Sequence, residues 1–111
     1  MARNRSLELP AAFWLARAGA AGTEVCGLVF ERGHKVEFHR VENLGGFGEF
    51  WIDELELRRV ERSIEQSGGR IVAFVHSHPH SSEPSSSDRA LRARVPWPVF
   101  VVAPDDSLHE V

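Results

Sequence analysis

Between Asp53 and Val75 the sequence spells out a helix, a stop and a strand, and this unit limits the chain more than any other feature. Leu57, Val60 and Ile64 fall on one helical stripe, Asp53 with Glu56 three residues later has the spacing of a capping pair, and Gly68-Gly69 ends the helix. Arg70 to Val75 is then an apolar run short enough to be a buried strand. Ahead of this unit the patterns predict a helix from about Pro10 to Ala20, with Pro10 at the first helical position. They also predict a hairpin of two strands, Glu24 to Glu31 and Lys35 to Val41, turning at Gly33. Asn43 to Gly48 reads as a glycine-rich loop, with a short extended piece at Phe50 to Ile52. After Val75 come a Ser-rich loop from His80 to Ser87, a helix near Asp88 to Val95 and a strand from Val99 to Val102. Helices alternating with strands argue for an α/β layered domain. With 111 residues and no internal repeat or linker, a single domain over residues 1–111 is expected.

Composition removes several functions. A net charge of -3 provides no general attraction to nucleic acid or anionic lipid, so neither is expected as a partner. Cys26 is the only cysteine, which excludes an internal disulfide and any CxxC zinc site and suits a reducing cytoplasm. Arg3 and Arg5 before the apolar stretch Leu9 to Ala16, with Ala16-Arg17-Ala18, have the outline of a secretory leader. Glu8 and Pro10 interrupt that layout, and a short helix from Pro10 explains the same residues better. The stretch is also far shorter than the roughly 18 residues of a membrane span.

His76 and His78 lie two apart where the apolar strand ends. If the extended conformation continues, both side chains point to one face and can converge on a single ion, for which two imidazoles suit zinc. The plain alternative is a pair of loop histidines. Asp88 is a possible third ligand, although Ser85 and Asp88 also have the spacing of a helix capping box that needs no metal. Three ligands with one open position would make a catalytic rather than a structural site. Glu24, at the start of the first strand, is either a general base for a metal-activated water or an ordinary surface glutamate.

Glu24-Val25-Cys26-Gly27-Leu28, His76-Ser77-His78-Pro79 and Pro84-Ser85-x-x-Asp88 together resemble the JAMM (MPN-plus) metallopeptidases, especially compact bacterial ones. Val41-Glu42-Asn43, Phe50-Trp51-Ile52-Asp53 and Pro98-Val99-Phe100-Val101-Val102 are similar to that family's framework, so nearly the whole chain is covered. The resemblance implies a mixed central sheet flanked by helices, as in cytidine deaminases. It implies zinc on His76, His78 and Asp88, Glu24 as acid and base, and Ser85 steadying the oxyanion. The implied activity is hydrolysis of a peptide or isopeptide bond after the C-terminal Gly-Gly of a ubiquitin-like or sulfur-carrier protein, with the tail lying in a groove beside an edge strand. Other readings are a non-catalytic scaffold of the same fold and a phage-tail or cell-wall peptide hydrolase. A zinc nucleobase deaminase would need a later Pro-Cys-x-x-Cys, which one cysteine rules out. Six residues separate His78 from Ser85 where seven are expected, and the insertions that clamp ubiquitin in eukaryotic relatives are missing.

Among the remaining residues, His80 is a spare ligand or, more simply, a solvent-facing loop residue, and His34, His39 and His109 look incidental. Cys26 reads as a small core residue beside Glu24, and Phe13, Trp14 and Trp97 as packing.

Overall fold

The computed structural model describes residues 7–20, 23–44 and 51–111. Of the glycine-rich loop expected from Asn43 to Gly48 only Asn43 and Leu44 are among them, and Arg3, Arg5 and Phe50 lie outside. Five strands form one mixed sheet in the order β2-β1-β3-β4-β5. They are β1 (Cys26–Arg32), β2 (Lys35–Val41), β3 (Arg70–Ser77), β4 (Val99–Val102) and β5 (Leu108–Glu110). β1 runs antiparallel to both β2 and β3, β3 and β4 are parallel, and β5 returns antiparallel along β4. The helices are α1 (Ala11–Gly19), α2 (Glu54–Gln66) and α3 (Ser86–Arg94).

Strand alternation sorts the core into two sets. On one face Val25, Val29, Ala73, Val75, Phe100 and Val102 pack against Phe13 of α1, with Trp14, Leu7 and Leu9 at the edge. On the other, Leu28, Phe30, Phe74 and Val99 meet Leu57, Val60 and Ile64 of α2 and Leu91 of α3, with Trp97 packed alongside. The sheet thus lies between α1 and the pair α2 and α3. The apolar stretch that outlines a leader is a packed helix here: Phe13 is fully buried, and Arg17 donates to the Ala103 carbonyl at 2.8 Å. Among the described residues no helix is long and apolar enough to cross a membrane.

Glycines set the close approaches. Gly33, at φ +64, opens the two-residue turn between β1 and β2. A Cβ on Gly27 would lie 2.2 Å from the His39 carbonyl oxygen, so only glycine lets β2 come this near. α2 ends in a Schellman arrangement, with Gly68 at φ +88 donating to Glu65 at 3.1 Å and Gly69 donating to Ile64 at 2.9 Å.

Several boundaries differ from expectation for local reasons. Pro10 is the N-cap of α1, not its first helical residue. The Asp53 carboxylate accepts from the Leu55 N–H, while Glu56 pairs with Arg59 at 3.1 Å instead of closing a capping box. β1 starts at Cys26, two residues after Glu24, and β3 runs on through His76 and Ser77.

Candidate metal centre

Three separate segments meet at the end of β3. His76 is the penultimate residue of that strand, paired with Cys26 of β1 on one side and Val101 of β4 on the other. His78 lies just beyond, yet its N–H still donates to the Val102 carbonyl at 2.9 Å, so the extended course continues one residue past the strand. That bond explains why both imidazoles point to the same face: His76 is 0% and His78 7% exposed, with ring centroids 4.8 Å apart.

α3 brings the carboxylate. Ser85 caps the helix, its Oγ accepting the Asp88 N–H at 3.2 Å while Asp88 Oδ2 accepts the Ser85 N–H at 2.6 Å, which is a complete capping box. The same Asp88, also 0% exposed, places Oδ1 2.7 Å from His76 Nε2 and Oδ2 3.2 Å from His78 Nε2. The two Nε2 atoms are 3.0 Å apart. The short loop between His78 and Ser85 therefore leaves the Ser85–Asp88 unit intact and in contact with both imidazoles.

Glu24 completes the cluster from the chain just before β1. A Glu24 carboxylate oxygen and the imidazole nitrogens of His76 and His78 all lie within 4.8 Å of one another. Its Oε1 is buried without a hydrogen-bond partner among the described residues. An isolated acceptor in that state costs about 1–3 kcal/mol, which an ordinary surface glutamate would avoid by turning to solvent.

The donor spacing fits a metal. Zinc bonds of about 2.0–2.2 Å to nitrogen and oxygen put neighbouring corners of a tetrahedron about 3.3 Å apart. His76 Nε2 lies 2.7 Å from Asp88 Oδ1 and 3.0 Å from His78 Nε2, which itself lies 3.2 Å from Asp88 Oδ2, so these contacts are slightly shorter than that spacing. Asp88 Oδ1 is buried and has no hydrogen bond of aligned geometry despite its contact with His76. Imidazole and carboxylate donors suit a divalent metal ion, with no cysteine needed.

Electrostatics follow from this crowding. Burial raises the Glu24 pKa and the Asp88 charge adds to the rise, against the opposing pull of His76 and His78. His78 is raised chiefly by its contact with Asp88, with burial opposing. For Asp88 burial is the largest influence and works upward, but contacts with the two imidazoles and the Ser85 N–H outweigh it and hold the carboxyl well below the usual carboxylate range.

Other residues singled out in the sequence lie elsewhere. His80 is exposed on the loop, His39 Nδ1 lies 3.0 Å from the Arg40 carbonyl, and His109 Nε2 lies 2.8 Å from Ser107 Oγ. Cys26 is fully buried, its thiol donating to the Val41 carbonyl and its pKa pushed up by burial to about 12, so it is a core residue without thiolate character. A groove of about 190 Å³ lies between the 51–52 segment and α3, lined by Trp51, Ile52, Ser87, Ala90, Leu91 and Arg94. Trp51, which the resemblance places in the family's framework, is 59% exposed on this groove.

Similarity to known proteins agrees with this architecture. Residues 7–111 match the family described as prokaryotic homologs of the JAB domain. Among solved structures, the solution structure of protein DSY2949 from Desulfitobacterium hafniense superposes with a TM-score of 0.66 at 24% identity, covering 90% of this chain and 75% of that one, a likeness of fold. None of the curated proteins matches the sequence. The fold and the family match over nearly the whole length lead to one conclusion: the chain belongs to the prokaryotic homologues of the JAB domain.

Proposed function

We propose that the chain is a zinc-dependent peptidase or isopeptidase in which His76, His78 and Asp88 hold the ion and Glu24 carries the proton. The supporting observation is the meeting of two buried imidazole Nε2 atoms, 3.0 Å apart, with the two oxygens of the buried Asp88 carboxylate at 2.7 and 3.2 Å, beside the buried, unpartnered Glu24 Oε1. A zinc ion held there would polarise the scissile carbonyl and lower the pKa of the attacking water from 15.7 to about 7. Glu24 takes the proton of the attacking water and returns it to the leaving amine. Its carboxylate stands beside both imidazoles, within 4.8 Å of their nitrogens, where it can reach a water held at that point.

Ser85 stands exposed at the head of α3. Capping uses a lone pair of its Oγ, so the hydroxyl hydrogen remains available to a developing oxyanion. As substrate we propose the C-terminal Gly-Gly of a ubiquitin-like or sulfur-carrier protein, which is slender enough to reach buried donors, and as location the reducing cytoplasm that an unpaired Cys26 tolerates.

The test is cleavage of carrier proteins joined through Gly-Gly to a reporter. Zinc-loaded protein should cut after the second glycine, and Glu24→Gln should lower the rate by about 100- to 10,000-fold. Absence of cleavage by the zinc-loaded protein, or an equally active Glu24→Gln, would return the chain to the scaffold reading.

A further inference from the structure

We propose that Ser77, between the two histidines, is a positioning residue that fixes Glu24 by clamping the backbone of Val25; the catalytic side of this inference rests on the function proposed above. Ser77 is 2% exposed, and strand alternation turns its side chain away from the imidazoles, so it has no place among the donors. Its N–H donates to the Val25 carbonyl at 2.8 Å, and its Oγ accepts the Val25 N–H at 3.0 Å. In a regular antiparallel hydrogen-bonded pair both bonds would be backbone to backbone. Here a side-chain oxygen receives the second bond, one residue beyond the Cys26–His76 pair where the β1–β3 ladder stops.

The position of this clamp matters because of what lies next to it. Glu24 is the residue before Val25, and no hydrogen bond among the described residues holds its buried Oε1. Its placement near the imidazoles therefore depends on the backbone, which is held on one side by Thr23, whose N–H and hydroxyl donate to the Ala20 carbonyl, and on the strand side by the two bonds to Ser77 that tie it to β3. Val25 is itself only 1% exposed, so without Oγ its N–H would be left in the core with no acceptor. The strand head would then shift to find one, taking the carboxylate with it. The residue between the metal-site histidines thus ties β3, which carries them, to the segment that carries the proton acceptor.

The experiment compares Ser77→Ala with Ser77→Thr, which keeps the oxygen, each alone and combined with Glu24→Gln, in zinc-loaded protein. Ser77→Ala should keep its zinc and its KM but lose kcat by about 10- to 100-fold, the scale of a misplacement near 1 Å. Ser77→Thr should recover most of that loss. In the Glu24→Gln background Ser77→Ala should have almost no further effect, because the two residues act through one carboxylate. Exchange of the Val25 amide, followed by NMR, should quicken in Ser77→Ala and stay slow in Ser77→Thr. If Ser77→Ala does not fold, Ser77→Cys, with its weak acceptor, carries the same expectations.

An equal loss of kcat in both backgrounds, a Thr variant as impaired as Ala, or an unchanged Val25 amide would overturn the proposal. Should wild-type protein cleave no Gly-Gly fusion, the enzymatic reading fails, while amide exchange still decides whether the clamp exists.

Discussion

A carboxylate has two oxygens and about four acceptor positions, and Asp88 divides them between two tasks. Oδ2 accepts the Ser85 N–H and so starts α3, while both oxygens lie against imidazole nitrogens. Sequence alone sets these tasks against each other as rival explanations; in the structure the capping box is complete while the same carboxylate still touches both imidazoles. They can be separated: Asp88→Asn keeps a capping acceptor but loses the charge, so it should abolish zinc binding while costing much less stability than Asp88→Ala. Metal analysis and urea unfolding would measure the two effects, and an Asn variant that still binds zinc stoichiometrically would contradict the assignment. Protonation gives a second prediction. In metal-free protein the folded His78 pKa lies above 6.5, so its contribution to stability is complete below that value and is lost as pH rises through the folded pKa. The folded Asp88 pKa lies below 3.8, so its contribution holds above that value and is lost as pH falls through the lowered one. Chelator-treated protein should therefore lose thermal stability as pH rises above 6.5, while the increment given by zinc, which competes with those protons, grows over the same range. An increment that shrinks with rising pH would contradict this.

Individual elements were legible where a periodic pattern met a stop signal. α2 has its apolar stripe, its Asp53 cap and its Gly68-Gly69 end, and it forms within a residue of the expected limits. β4 is four buried apolar residues between Pro98 and Ala103 and was equally plain. β3 was read two residues short because His76 and Ser77 break the apolar run, although their neighbours on β1 and β4 keep the ladder going. β5 escaped: three residues with one apolar side chain carry no pattern, and pairing with β4 alone defines them. The joint between β1 and β2 offers a mutational test. Gly27→Ala would drive a methyl into the His39 carbonyl and the Phe38 ring, so it should destabilise the fold by about 2 kcal/mol, read as a lower urea midpoint at unchanged slope. An unchanged midpoint would show that β2 can move away without cost.

At the scale of the whole molecule the sheet order assembles the centre. β1 and β3 are adjacent, which brings Glu24 to the histidines across about fifty intervening residues, and the crossover from β3 through α3 to β4 returns Asp88 to the end of the strand it left. The residue types of the site were visible in the sequence because metal-ligand chemistry admits few substitutes. The shared face of His76 and His78 was visible too, from their spacing at a strand end, whereas the distances at which Glu24 and Asp88 approach them were not, since these depend on strand pairing and on the crossover through α3. An ion that binds only the assembled centre must stabilise the fold by mass action, by about 2.7 kcal/mol at a hundredfold excess over its dissociation constant. Zinc should thus raise the melting temperature of wild-type protein and leave that of His78→Ala unchanged. The most direct test is titration of metal-free protein with zinc, with bound metal counted by elemental analysis. The account predicts one ion per chain for wild type and for Glu24→Gln, and none retained by His78→Ala; no binding by wild type, or binding that survives His78→Ala undiminished, would contradict it.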